Sequence, residues 1–173
     1  MTELTPPLSA EDHVDGPGRA PLELVMYGDF QCPYCTAAYP IMRRVRDQLA
    51  GRLRFAFRHF PLRDVHPDAQ GAAEAAEAAA AQGAFWQMHD RMYESRGALS
   101  PEDLIAHAGG LGLDAGRLAA ELDSSVHAPR VQRDLDSGLA SGVRGTPTFF
   151  VGGRRHAGSF DAASVVAALK ASA

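Results

Sequence analysis

The sequence is poor in cysteine, with two among 173 residues, Cys32 and Cys35. A small secreted domain held together by disulfides uses more. A bridge across so short a spacing closes a tiny loop and restrains the unfolded chain little. The pair therefore reads as chemistry rather than bracing. Positive charge is not in excess either. Lys and Arg total 17 against 21 Asp and Glu, a formal charge of −4, which argues against nucleic acid as the main partner. Arg43, Arg44 and Arg46 read as one solvated helix face. No apolar run approaches the ~20 residues that cross a bilayer, so no direct membrane insertion is expected. The first residues, with Glu3, Glu11 and Asp12, lack the basic start and apolar stretch of a signal peptide. A cytoplasmic location is expected. No internal repeat is visible.

What is present is an ordinary globular balance, 46% hydrophobic and 22% charged, in a length that suits one domain with its own core. Residues 1–20, with Pro6-Pro7 and Gly16-Pro17-Gly18, read as a flexible N-terminal arm. Residues 22–28 are nearly continuous in apolar character, as in a strand buried on both faces. After the cysteines, Ile41, Val45 and Leu49 recur at spacings of four, which predicts a helix closed by Gly51. Residues 53–58 alternate apolar and basic and read as a second strand. Strand, helix, strand makes a βαβ unit.

From residue 67 to 140 nothing reads as strand. Ala69–Gln82 favours helix strongly. Phe85, Trp86, Met88, Met92 and Tyr93 give a second amphipathic helix. Ser100-Pro101-Glu102-Asp103 starts a third with a cap, a first-position proline and acid. Asp114 caps a short fourth. Val131, Leu135 and Leu139 mark the inner face of a fifth. Strand character returns at 146–151, Gly152-Gly153 turns the chain, and residues 161–171 close with a helix. The order is βαβ, helical block, ββα. The expected architecture is α/β with a mixed central sheet: residues 21–66 and 141–173 form one domain, and 67–140 are a helical cap inserted within it.

Cys32 sits where strand passes to helix. As N-cap it places Pro33 at the first helical position, where a missing N–H costs nothing. Free N–H groups of the first turn then point toward the Cys32 sulfur, and the helix dipole adds positive potential. Both favour the thiolate, the form that attacks a disulfide. Cys35, one turn on, is placed to resolve the mixed disulfide, and Cys32 is expected to be the more exposed. Two other readings stand beside this one. Paired cysteines at this spacing form half of a zinc site, but a closed site takes four ligands; no second pair exists, and the spacing of His59 and His66 does not help. Two inert core cysteines are the other. Neither a metal nor a cofactor is expected.

Phe30-Gln31-Cys32-Pro33-Tyr34-Cys35, with Gly145-Thr146-Pro147-Thr148 before a strand, resembles the DsbA-like branch of the thioredoxin superfamily. The similarity is greatest to the thioredoxin-like domains fused behind bacterial sodium/proton antiporters. It is carried by Tyr27–Phe30, Phe57–Leu62, His66-Pro67 with the alanine-rich helix, and Phe85–Asp90, and covers about residues 12 to 170. The resemblance implies a thioredoxin fold with a large helical insertion. It also implies that Pro147 is cis beside the cysteines, leaving the Thr146 backbone free to pair with an extended substrate; an ordinary trans proline at a strand start is the alternative. Pro33, Tyr34, Thr146 and Pro147 would contact substrate. One departure matters. Many thioredoxin-like proteins keep a buried acid six residues before the first cysteine, and here that residue is Met26. Glu23, water or His59 are left to accept the Cys35 proton, and His59 reads equally as a structural histidine.

The leading expectation is a thiol–disulfide oxidoreductase acting on protein or small-molecule disulfides, with an unidentified electron donor or acceptor and an open direction. A non-catalytic chaperone or peptide-binding module on the same scaffold is the alternative. A redox-sensitive partner of a membrane transporter is a third reading, prompted by the antiporter fusions.

Overall fold

The structure is a computed structural model that describes residues 2–173. Its elements are β1 (His13–Asp15), β2 (Leu22–Gly28), α1 (Pro33–Gln48), β3 (Leu53–His59), α2 (Ala69–Ala80), α3 (Phe85–Glu94), α4 (Pro101–Gly110), α5 (Ala115–Ser124), α6 (Ala128–Ala140), β4 (Thr148–Val151), β5 (Arg154–Arg155) and α7 (Ala162–Ala171). The sheet runs β1-β3-β2-β4-β5. β2 and β3 are parallel, with Met26 beside Phe57. β4 lies antiparallel on the other side of β2, with Met26 beside Phe149. This is the thioredoxin-like α/β fold, with five helices inserted between β3 and β4.

Alternation along the strands builds two cores. One face carries Leu22, Leu24, Met26, Phe55, Phe57, Phe149 and Val151, packed with α1, α7 and the inserted helices. The other carries Val25, Tyr27, Ala56 and Phe150, closed by Leu4, Phe60, Val143 and Leu135. Each large apolar side chain so buried contributes roughly 1.5–3 kcal/mol. The alanine run of α2 is buried on nearly every side, as expected for a helix surrounded by others. Alanine lets its neighbours approach closely.

Two expectations are corrected. The N-terminal segment is not a loose arm. β1 pairs antiparallel with β3, Glu3 bridges Arg154 and Leu4 is buried. Its prolines and acids signal irregular backbone, yet Asp12 and the Pro6 and Pro7 carbonyls bind Arg58, which anchors it. The inner face of α6 is also rotated. Val131, Asp134, Ser137 and Gly138 are buried there, Leu135 is half-buried and Leu139 is 49% exposed. Polar contacts turn it: Asp134 accepts the His59 N–H at 2.9 Å, and Ser137 meets the Tyr27 hydroxyl at 2.8 Å.

Candidate active site

The cysteines lie at the C-terminal end of β2, where the chain turns into α1. Cys32 is the N-cap residue and Pro33 opens the helix. Gly28 ends the strand where no side chain fits: a Cβ there would come 2.4 Å from the Phe57 ring. The turn that follows is held by Asp29. Its buried carboxylate accepts the Gln31 N–H at 2.7 Å and the Leu62 N–H at 2.9 Å, and pairs with His66 Nδ1 at 2.7 Å. Gln31 Oε1 accepts the Asp68 N–H at 2.7 Å. The loop after β3 is thereby fastened to the cysteine turn. His66 serves this fastening.

Cys32 and Cys35 approach to 3.9 Å and are free thiols. That separation is well beyond a disulfide's ~2.05 Å. Cys35 is fully buried and Cys32 only 2% exposed, so the expected order holds by a narrow margin. The residue that projects is Tyr34, 68% exposed. A hydrogen bond from the Cys35 thiol holds Cys32 down to about 5, against the opposing effect of burial. Thr146 and the Cys35 and Tyr34 backbone N–H groups add to this. Those N–H groups help although no full cap hydrogen bond to the sulfur forms. Burial pushes Cys35 well above the ordinary thiol range, and its hydrogen bond to Cys32 pushes it further. Two like groups in contact are thus driven apart: one ionises readily and the other keeps its proton.

Thr146 comes to the pair from the loop before β4. Its carbonyl lies 3.5 Å from Cys32 Sγ, and the Thr146–Pro147 peptide bond is cis. The Thr146 hydroxyl is buried and no partner meets it at full hydrogen-bond geometry, yet it lies near enough to the sulfurs to favour their charge.

The other candidates are placed elsewhere. Met26 is in the core, bordered by Phe57 and Phe149. Glu23 sits near the opposite end of β2, paired with Arg54 at 3.1 Å. The His59 ring bonds Glu77 at 2.8 Å, and the ring of Phe30 stands 6.1 Å from it. Among the described residues no cluster of metal-ligating side chains occurs, and no helix is long and apolar enough to cross a membrane. Sequence reading passed over two groups at the site, Asp29 and Tyr93. Tyr93 gave a signal: a tyrosine on the inner face of a helix buries a hydroxyl that needs a partner.

A family model described as thioredoxin matches residues 9–171, and the chain belongs to that family. Among solved structures, it resembles oxidised BdbD of Bacillus subtilis with a TM-score of 0.85 at 22% identity, covering 93% of this chain and 92% of that one. The thiol-disulfide exchange protein alpha-DsbA2 of Wolbachia pipientis gives 0.80 at 17% identity, over 95% and 88%. These show a shared DsbA-like fold. In sequence, the chain is 49% identical over 158 residues to a Salinispora arenicola protein named Na(+)/H(+) antiporter NhaA 1, covering 91% of this chain and 24% of that protein. A Herminiimonas arsenicoxydans protein named Na(+)/H(+) antiporter NhaA is 48% identical, over 98% and 27%. The chain spans about a quarter of the length of these curated relatives.

Proposed function

We propose that the protein is a thiol–disulfide oxidoreductase of DsbA-like type. The observation that carries this reading is the polarised pair at the start of α1, where Cys32 is held at about 5 and Cys35 well above the thiol range. At neutral pH Cys32 is a thiolate and attacks a substrate disulfide. Cys35 then displaces the substrate sulfur. Thr146 and Pro147, against Cys32, form the shelf along which an extended substrate lies as an added strand. Pro33 and the projecting ring of Tyr34 border that shelf. His59, tied to Glu77, has a structural part. Residues 67–140 act as a cap on the domain formed by 21–66 and 141–173.

Partners are protein or small-molecule disulfides and a separate electron donor or acceptor. The direction we favour is net reduction, the one a cytoplasmic setting would support. Thioredoxin-like potentials run from about −270 mV for thioredoxin to about −120 mV for DsbA, and a measured value near the lower end would establish that direction. The test is insulin reduction by wild type and Cys32→Ser. Turnover in the wild type and none in the variant is expected; equal turnover would remove Cys32 from the mechanism. A peptide-binding module without turnover predicts instead that both forms suppress aggregation equally while neither reduces insulin.

A further inference from the structure

Cys35 must lose its proton in a setting that opposes charge. It is fully buried, and Met26 supplies no polar group beside it. The Asp29 carboxylate is already engaged by Gln31, Leu62 and His66, which fix it on the turn. Tyr93 is differently placed. Its hydroxyl is buried and has no hydrogen-bond partner, although buried hydroxyls nearly always find one. The ring is fixed by its neighbours, stacked on Tyr39 at 5.5 Å and in contact with Phe30 at 4.9 Å and His89 at 5.1 Å. Tyr39 is one helical turn beyond Cys35 on α1. The hydroxyl oxygen reaches the end of β2, 3.1 Å from where a Gly28 Cβ would stand. The ionisable groups around it are Cys35, Asp29 and Cys32, and Cys35 is the one close enough to interact with the hydroxyl directly. In the dithiol this contact falls short of full hydrogen-bond geometry, so it is at most a weak one.

We infer that Tyr93 donates its O–H to the Cys35 sulfur as that sulfur becomes a thiolate, and so acts as a catalytic residue of the resolving step. This rests on the exchange reaction proposed above. Once Cys32 is joined to substrate, its sulfur is no longer a thiolate for Cys35 to donate to. The Cys35 thiolate then attacks Cys32. A Cys32–Cys35 S–S bond forms and the Cys32–substrate S–S bond breaks. The substrate sulfur leaves with the electron pair and takes up, through water, the proton Cys35 released. The cysteine pair is oxidised and the substrate reduced. Burial holds the tyrosine itself protonated, so it remains a donor throughout and is not the base. The structure keeps a donor weakly engaged in the dithiol, beside an acceptor that becomes charged only during resolution.

The experiment uses the full chain and 5,5′-dithiobis(2-nitrobenzoate) in stopped flow. Attack by Cys32 releases one coloured thiolate and resolution by Cys35 releases the second. Tyr93→Phe keeps the ring and removes the hydroxyl. The second phase is expected to slow about tenfold, the scale of a lost hydrogen bond to a charged group. The first phase, which belongs to Cys32, is the reference. In a Cys32→Ser background, Tyr93→Phe is expected to raise the Cys35 pKa, read from thiolate absorbance, by about one unit on the same scale. That measurement needs no turnover, so it decides the role of Tyr93 even if the exchange reading fails. A merely structural hydroxyl would lower the melting temperature of the dithiol on removal; an idle one leaves it level or raised. An unchanged second phase, or an unchanged Cys35 pKa, would overturn the inference.

Discussion

Two buried polar groups lie on opposite faces of the same sheet and are treated in opposite ways. On one face, the Arg58 guanidinium is saturated. Its Nε and Nη2 hold the two Asp12 oxygens at 2.8 and 3.0 Å, and its remaining hydrogens go to Pro6 O, Pro7 O and the Tyr27 hydroxyl. On the other face, beside the cysteines, the Thr146 and Tyr93 hydroxyls are buried without a partner at full hydrogen-bond geometry. A saturated buried charge braces a fold, because removing any member strands the rest. An unsatisfied donor costs stability at rest and is kept where charge will appear during a reaction. Both sites are polar and buried. What separates them is whether their donors are already spent.

The sharpest way to break this contrast is at the sulfurs. Cys32→Ser should abolish exchange, and Cys35→Ala should trap the mixed disulfide, seen as a stable mass adduct with substrate. Arg58→Met comes next, at about 3–5 kcal/mol of stability in urea unfolding, since it strands the Asp12 carboxylate. It should also free residues 2–15 to proteolysis while leaving the reactivity of Cys32 in place. Loss of Cys32 reactivity in folded Arg58→Met would show that the two faces are coupled.

Glu77 gives a smaller effect of the same bracing kind. Burial alone would raise its carboxyl, but hydrogen bonds from His13 and His59 outweigh that and hold it below the usual range. A depressed carboxyl stabilises the fold above its ordinary value of 4.5, and that stabilisation is lost as pH falls below it. Glu77→Gln should cost roughly 1–3 kcal/mol at neutral pH and flatten the acid limb of a stability–pH curve.

The reactive face has its own pH signature. The thiolate of Cys32 persists down to about 5, so its alkylation rate should stay high across neutral pH and fall only as pH drops through that value. A midpoint near the ordinary 9.0 would mean that the Cys35 and helix-start contacts do not act on it. The smallest effect is expected at Tyr34. The Tyr34→Ala variant should keep its stability within about 0.5 kcal/mol, as exposed positions do, and raise KM for a protein substrate more than it lowers kcat.

Much of the fold was legible because its signals are local. β2 and β3 showed as apolar and alternating runs, α1 as a stripe at spacings of four, and α4 as a cap with proline and acid; in the structure Ser100 and Asp103 form a reciprocal capping box. The N-terminal segment was misread because its anchor is 46 residues away: Asp12 means nothing until Arg58 is beside it. The face of α6 was misread for a similar reason. Leu135 and Leu139 fit the period, but Asp134 and Ser137 had partners on β3 and β2 that outweighed it.

The sequence by itself determined where the cysteine pair stands. A cysteine at a helix start, proline next and a second cysteine one turn on set the N-cap and first turn, because helix geometry and its free N–H groups are local consequences of that order; the proposed roles of attacker and resolver follow from that placement. Tertiary structure alone decided what surrounds the pair. Thr146 arrives from 114 residues away, Tyr93 from the inserted helices, and neither proximity can be read from spacing. Charge in a buried site depends on which donors reach it and how many are already taken, and only the packed chain settles that.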